Sequence, residues 1–278
     1  MKKLIILLTI LIFFGACNGQ KESKNMIKSE EIVFFEYEDN KNLVRRNFIG
    51  YDEFNTFDIN GKFKERSIII WDDTTQKDEI KLIEKHYYKD TLLLKGEKFS
   101  YISGEKYEVI ENKFNEKKQL VKTFIRSFDD EKEVFKKNKS FYKIYEYERN
   151  SRKAKVYEYD EATHDFKLTF TEVKTFDEKN VLKEEKFIDS NNEVYEINHF
   201  VYNKDKKISE KTTQLRFPSK INYSYNLKKD VERYTYINGN YKSETLYTYK
   251  YDDKGNWIEK TETSDKEKYL IKRKLEYY

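Results

Sequence analysis

The stretch YDDKGNW, residues 251–257, indicates how this chain folds. Asp252 follows an aromatic residue, and its short side chain can hydrogen-bond the backbone two residues on and so begin a turn. Gly255 suits the left-handed residue that closes a type I turn with a G1 bulge. Tyr251 then lies almost opposite Trp257 on one face of two antiparallel strands. We therefore predict a β-hairpin centred on this stretch.

The same pattern recurs along the chain as an aromatic residue, then Asp, Asn or Glu, and an apolar residue six positions after the aromatic. Several units have Lys where the left-handed residue is expected, so we expect strain at those turns. The repeated units begin at Tyr37, Phe57, Phe114, Phe128, Phe176, Tyr202, Tyr225 and Tyr251, with weaker relatives at Tyr88, Tyr159 and Ile188.

The segments between these turns alternate as strands do. Tyr247, Tyr249 and Tyr251 point to one face, while the residues between them point to the other. Asn238-Gly239, between two tyrosine-rich runs, is the strongest single hairpin signal. The sequence therefore predicts an all-β fold, an antiparallel meander of repeated hairpins that forms an extended or curled sheet.

One region fits this pattern less well. Residues 76–86 contain Ile80, Leu82 and Ile83 among good helix formers. Periodicity over so short a segment does not separate a strand from a helix. We expect one short helix here, with a strand as the alternative.

YDDKGNW also resembles the YD (RHS-type) repeat, whose core is Tyr-Asp-x-x-Gly-Asn. Degenerate versions of the pattern cover most of residues 31–278. The resemblance implies successive antiparallel hairpins in an extended or curling sheet, which forms shells in the large members of that family.

The N-terminus, MKKLIILLTILIFFGAC over residues 1–17, has two lysines and then an apolar run. As a helix, residues 4–14 span about half of the hydrocarbon core, which indicates a signal peptide. FGAC, residues 14–17, resembles the lipobox of bacterial lipoproteins. This resemblance implies cleavage before Cys17, a diacylglycerol on its sulfur and an acyl chain such as palmitate on its nitrogen. Ordinary secretion after a cut near Ala16 is the alternative.

These signals divide the chain into three parts: a lipoprotein signal peptide (1–16), the lipidated Cys17 with a polar flexible tether (17–30), and the repeat domain (31–278). The predicted location is the bacterial cell envelope, in the outer membrane, on its periplasmic or surface side. Cys17 is the only cysteine, so the mature chain cannot form an internal disulfide.

Composition limits the function further. Charged residues reach 38% and aromatic residues 17%, with a net charge of only +4. That balance lacks the basic stripe that nucleic-acid binding requires. His86, His164 and His199 are not at metal-ligand spacing, and no phosphate loop or nucleophile motif occurs. We expect no catalytic residues, no metal and no cofactor, and so a protein that is not an enzyme.

The tyrosine rows are the best functional candidate. Tyr247, Tyr249, Tyr251 and Trp257 can stack on sugar rings or contact a protein. Because the chain is poor in Leu, Ile and Val, these rows can instead form the core face. The sequence predicts a membrane-anchored, non-catalytic binding or scaffold module for a protein or glycan. The alternative is an immunity or inhibitor lipoprotein that neutralises a toxin at the membrane, by association with repeat families that accompany contact-dependent toxins.

Overall fold

A computed structural model describes the repeat domain and its first residues. The predicted signal peptide, Cys17 and most of the tether lie outside the described residues. The described residues are 26–38, 42–45, 52–72, 75, 77–128, 135–265 and 267–278.

The described chain consists of antiparallel β-strands joined by short turns. The 19 strands, all in one sheet, are β1 (Ile27–Glu38), β2 (Asn42–Arg45), β3 (Glu53–Phe57), β4 (Phe63–Asp72), β5 (Lys77–Lys89), β6 (Leu92–Phe99), β7 (Lys106–Phe114), β8 (Leu120–Phe128), β9 (Phe135–Glu148), β10 (Ser151–Asp160), β11 (Asp165–Phe176), β12 (Leu182–Asp189), β13 (Val194–Tyr202), β14 (Ile208–Leu215), β15 (Ser219–Tyr225), β16 (Val231–Asn238), β17 (Tyr241–Tyr251), β18 (Trp257–Ser264) and β19 (Lys268–Tyr277).

The meander closes on itself. From β3 to β19 each strand pairs with its neighbours in sequence, and β1 lies between β19 and β3, with Phe34 opposite Ile271 and Ile32 opposite Glu53. The short strand β2 pairs only with the far end of β1, so 18 strands complete the ring. The predicted all-β meander is confirmed, but the predicted extended or curled sheet is wrong. Closure pairs the two free edges, which would otherwise expose unpaired backbone groups.

Two other predictions differ from the structure. The short helix expected at 76–86 is wrong, because β5 is a strand through this region. Its apolar side chains pair across the sheet with β4, Ile80 opposite Ile69 and Leu82 opposite Ser67, and this pairing overrides the helix propensity of the Lys and Glu residues around them. The first strand begins at Ile27, so residues 27–30, which the sequence assigned to the tether, belong to the sheet.

The turn at Asp252 has the predicted chemistry. The Asp252 carboxylate accepts hydrogen bonds from the backbone N–H of Lys254 at 3.0 Å and of Asn256 at 2.8 Å. Gly255 has a φ of 81°, and Tyr251 pairs directly with Trp257 after a bulge. The hairpin predicted from YDDKGNW is therefore confirmed in its turn and in its register.

Six other units repeat this geometry, with the first residue of each directly opposite the apolar residue six positions later. Three units depart from the predicted register, since Phe128 pairs with Phe135, Tyr88 with Leu93 and Tyr159 with Phe166. Lys118, Lys206 and Lys229 occupy the left-handed position with φ of 59°, 60° and 69°, which confirms the expected strain. The turn of the Phe128 unit and that of the Tyr37 unit fall outside the described residues. These confirmed units begin at Phe57, Phe114, Phe176, Ile188, Tyr202 and Tyr225.

The wall of the barrel is one sheet thick. Strands in extensive contact are hydrogen-bonded neighbours in the ring, and few apolar side chains in the described part of the chain are fully buried. Most other side chains are half-buried by lateral packing along the wall. The fully buried apolar residues are Ile68, Ile69, Val109, Ala154, Val156, Leu270 and Ile271.

Among the described residues there is no helix of the length and apolar character needed to cross a bilayer.

Candidate functional site

The structure brings together the aromatic residues that the sequence singled out. Tyr247, Tyr249 and Tyr251 lie on one face of β17, and Trp257 begins the next strand directly opposite Tyr251. The rings of Tyr249 and Tyr251 stack with centroids 5.9 Å apart and an interplanar angle of 29°. We call this face of the sheet the tyrosine face.

The polar and π groups of this row already have partners within the chain. The Tyr249 hydroxyl donates to the carbonyl oxygen of Val231 at 2.7 Å, and the Tyr251 hydroxyl donates to Asp230 at 2.7 Å. The Arg273 guanidinium lies 4.8 Å from the Trp257 ring centroid. These contacts favour the structural interpretation of the row over a free stacking surface.

Burial raises the pKa values of the three tyrosines in this row. Burial, with help from the hydrogen bond to Asp230, raises the pKa of Tyr251 to about 12. Burial also raises the pKa of Tyr247 and of Tyr249 above the ordinary phenol range. All three phenols therefore stay neutral at physiological pH.

Similar bonds connect other turns at the same end of the barrel. The Tyr277 hydroxyl donates to the Asp252 carboxylate, and the Asn256 amide donates to the Tyr277 oxygen at 2.8 Å. The Tyr278 hydroxyl donates to the carbonyl oxygen of Phe57 at 2.7 Å, across β1. Tyrosines of one hairpin thus hold the turn of a neighbouring hairpin.

A second group of aromatic residues lies across four consecutive strands. Tyr142 and Tyr157 are stacked, with centroids 4.7 Å apart and an interplanar angle of 17°. Phe166 lies 5.0 Å from Tyr142, 5.5 Å from Tyr159 and 6.2 Å from Phe124. We call these five residues the aromatic cluster. All five are half-buried, so the cluster combines apolar packing with accessible surface.

Polar groups surround the aromatic cluster. The Lys122 ammonium lies 4.4 Å from the centroid of the Tyr142 ring, within cation–π range. The Tyr159 hydroxyl lies 3.3 Å from Nδ1 of His164. Burial raises the pKa of Tyr142, and the nearby Tyr157 and Asp165 raise it further. The cluster is therefore an apolar patch with cationic, anionic and hydrogen-bonding groups at its edge.

The aromatic cluster and the tyrosine row occupy opposite faces of the wall. Residues directly opposite each other on neighbouring strands share a face, and the register can be followed around the ring in both directions. Both paths place Phe141 on the tyrosine face. Its neighbour Tyr142, and with it the cluster, therefore points to the other face.

Sequence reasoning did not find the aromatic cluster. The alternation of Tyr157 and Tyr159 was its only local signal, because Phe124, Tyr142 and Phe166 come from strands that the chain brings together only in the sheet. Tyr159 and Phe166 are brought directly opposite each other by the β10–β11 hairpin.

Many ionisable groups of the described wall form ion pairs, and Glu97 is the best example. Glu97, whose residue is 7% exposed, accepts from the Tyr87 hydroxyl at 2.6 Å and pairs with Lys95 at 2.8 Å and with Lys106 at 3.3 Å. Burial alone would raise the pKa of Glu97, but these bonds hold it at about 2. Such pairing indicates structural carboxylates rather than an acid or base poised for proton transfer.

Each of the three histidines contacts a different partner. His86 Nε2 lies 2.8 Å from Glu84, and His199 Nδ1 lies 3.6 Å from Glu184, while His164 is beside Tyr159. In the part of the chain that the structure describes, no group of three or more His, Cys, Asp or Glu residues is placed to hold a metal ion.

Comparisons with known proteins leave the family open. No protein family and no curated protein matches the chain. A porin-like protein from Bacteroides uniformis ATCC 8492 is 9% identical with a TM-score of 0.46, over 90% of this chain and 96% of that one. A porin-like protein from Bacteroides vulgatus ATCC 8482 is 14% identical with a TM-score of 0.31, over 88% of this chain and 97% of that one.

A third similar structure is TcdB2-TccC3-TEV, which is 8% identical with a TM-score of 0.29. The match covers 84% of this chain but only 16% of that chain. All three TM-scores are below 0.5, so these similarities establish neither a shared fold nor a shared function.

Proposed function

We propose that this protein is a lipid-anchored protein of the bacterial envelope that acts without catalysis, by binding a protein partner at its aromatic cluster. The observation that carries the proposal is the convergence of five half-buried rings from four strands, with Lys122 and His164 at their edge. Protein interfaces are enriched in aromatic anchors within a polar rim.

The lipid anchor is supported by the lipobox resemblance of residues 14–17 and by the charge of the barrel wall. A barrel that spans a membrane needs an uninterrupted apolar band on its lipid-facing side. Around β18 the tyrosine face carries Lys260 and Glu262, and the other face carries Lys250, paired with Glu259 at 2.6 Å. Over the described strands neither face is such a band, so we assign membrane attachment to Cys17.

The anchor is tested by replacing Cys17 with Ala in the full-length chain. We expect the variant to lose palmitate labelling and to leave the membrane fraction. Palmitate labelling that persists in the Cys17→Ala protein would contradict the anchor.

Binding at the aromatic cluster is tested by photo-crosslinking in intact cells. A photoreactive phenylalanine analogue placed at Phe166 or Tyr159 is expected to give a discrete protein adduct. The matched control places the analogue at Tyr234, an aromatic residue of the tyrosine face whose ring contacts Tyr223 at 5.6 Å. Equal adducts at Phe166 and Tyr234, or none at Phe166, would overturn the proposal.

A glycan array run with the purified protein separates the two ligand classes. Binding of a glycan that Phe166→Ala abolishes and Tyr234→Ala retains would replace the protein partner with a sugar. Identification of the crosslinked partner as a toxin would favour the immunity function over a scaffold.

A further inference from the structure

The two ends of the barrel differ in charge. Because the strands are antiparallel, the turn after each odd-numbered strand from β3 to β17 lies at one end, and the turn after each even-numbered strand lies at the other. Contacts confirm that the turns after the odd-numbered strands lie together at one end. Lys229 pairs with Asp205 at 3.0 Å, and the Asn226 amide donates to the Tyr251 hydroxyl at 2.9 Å. We call this end the lysine rim and the opposite end the acidic rim.

Cations are concentrated at the lysine rim. Arg216 is the single Lys or Arg in the described turns of the acidic rim, residues 75, 100–105, 161–164, 190–193, 216–218, 239–240, 265 and 267. The anions in those turns are Glu105, Glu161, Glu193, Asp265 and Glu267. The cations in the turns of the lysine rim are Lys62, Lys117, Lys118, Arg149, Lys179, Lys204, Lys206, Lys207, Lys228, Lys229 and Lys254.

The lysine rim also contains carboxylates, and several of them are hydrogen-bonded to the backbone of their own turns. The carboxylates of Asp58, Asp177 and Asp252 accept backbone N–H groups of the turn they begin. Exposed lysines such as Lys117 and Lys204 carry their charge at the end of a long side chain that reaches into solvent. With eleven cations and nine carboxylates, the described turns of the lysine rim have a net formal charge of +2, against −4 for those of the acidic rim.

The chain enters the barrel at the lysine rim. Ile27 pairs with Tyr277 at the start of β1, and the carbonyl oxygen of Met26 accepts from the Tyr278 N–H at 3.0 Å. The stretch from Cys17 to Met26 reaches at most about 30 Å even when fully extended. An acyl group on Cys17 therefore keeps the lysine rim nearer to the lipid than the acidic rim.

We propose that the lysine rim contacts the anionic headgroups of the membrane that holds the anchor, so that the barrel stands with its acidic rim away from the lipid. The inference rests on the proposed lipid anchor. A basic patch beside a lipid anchor adds electrostatic attraction to anionic headgroups, and this attraction would fix the orientation of the barrel on the membrane. The aromatic cluster, on the wall between the rims, stays accessible in this orientation.

The test uses purified mature protein carrying Cys17→Ala, so that binding by the rim is measured without the lipid. The probes are vesicles of phosphatidylcholine alone and of phosphatidylcholine with phosphatidylglycerol. We expect sedimentation with the anionic vesicles at low salt, little with the neutral ones, and loss of binding at high salt, where screening is strong.

Two matched triple variants locate the contact. Replacing Lys117, Lys204 and Lys207 by Gln is expected to lower the partition coefficient by on the order of a hundredfold. The same replacement at three exposed wall lysines farther from the lysine rim, Lys77, Lys242 and Lys272, is expected to change it little. Both variants alter only exposed side chains, and circular dichroism verifies that each is folded.

Failure of anionic-vesicle binding by the Cys17→Ala protein, or equal losses in the two triple variants, would overturn the orientation. Neither result affects the anchor, which the palmitate labelling of the full-length chain tests separately.

Discussion

Arg273 in the last strand donates from Nε to the carboxylate of Glu30 in the first strand at 2.8 Å, and this pair lies where the barrel closes. The two side chains are only 9% and 12% exposed. Glu30 also accepts from the Asn55 amide at 3.1 Å, so one carboxylate joins β19, β1 and β3. The Arg273 guanidinium also lies over the Trp257 ring, 4.8 Å from its centroid.

Removal of Arg273 is predicted to destabilise the closed barrel. Arg273→Met leaves the buried Glu30 charge without its cation, a change that costs about 3–5 kcal/mol for buried pairs. Denaturant unfolding of the two proteins measures the difference. The control is Lys250→Met, which breaks a pair whose lysine is 74% exposed and is expected to cost less than about 1 kcal/mol. Equal losses in the two variants would show that Arg273 has no special place in closure.

Glycine at the strained lysines is predicted to stabilise the protein. Lys206 and Lys229 have φ of 60° and 69°, a region that costs an L-residue about 1–2 kcal/mol. Lys206→Gly and Lys229→Gly should each raise the free energy of unfolding by about 1 kcal/mol, less the extra entropy of glycine in the unfolded chain. Lys204→Gly, in the same turn but without a positive φ, should not stabilise. A rise in the melting temperature for Lys204→Gly equal to that for Lys206→Gly would contradict this account.

Alkaline titration should reveal the buried phenols. Burial and the bond to Asp252 raise the pKa of Tyr277 to about 12, and Tyr251 has a similar value. Because the folded-state pKa is raised, this stabilisation is complete below the unfolded value of about 10 and is lost as pH rises toward 12. Phenolate absorbance should therefore show a late class of tyrosines that ionise together with unfolding. Tyr251→Phe and Tyr277→Phe should remove members of that class and cost about 1 kcal/mol each; titration of all tyrosines near pH 10 in the folded protein would refute the prediction.

Acid should weaken the wall at Glu97. Its pKa is held at about 2 by Lys95, Tyr87 and Lys106 against the effect of burial. Because the folded-state pKa is lowered, this contribution is present above the ordinary value of 4.5 and is lost as pH falls toward 2. Glu97→Gln should flatten the dependence of unfolding free energy on pH in that interval, whereas Glu161→Gln, an exposed turn residue, should leave it unchanged. Parallel pH curves for the native protein and Glu97→Gln would show that the bonds to Glu97 do not contribute.

The sequence by itself determined the hairpins. The turn at Asp252, the left-handed positions at Gly255 and Lys229 and the pairing of Tyr251 with Trp257 all follow from contacts within seven residues, whose geometry depends on local backbone chemistry. The same holds for the hairpin predicted at Asn238-Gly239, although Asn238 pairs with Tyr241 and the two loop residues are Gly239 and Asn240.

Tertiary structure decided what the local pattern leaves undetermined. Ring closure depends on Glu30 meeting Arg273 across nearly the whole chain, and no local signal shows that the first strand adds to the last. The strand at 77–89 exists because β4 and β6 flank it, although its own residues also suit a helix. Phe124 and Phe166 form one cluster only because three strand pairings place them together. Long-range pairing costs chain entropy, and a local stretch of sequence does not show whether that cost is offset. The turns can therefore be predicted from the sequence, whereas the closed barrel, its aromatic cluster and its two different rims depend on the assembled sheet.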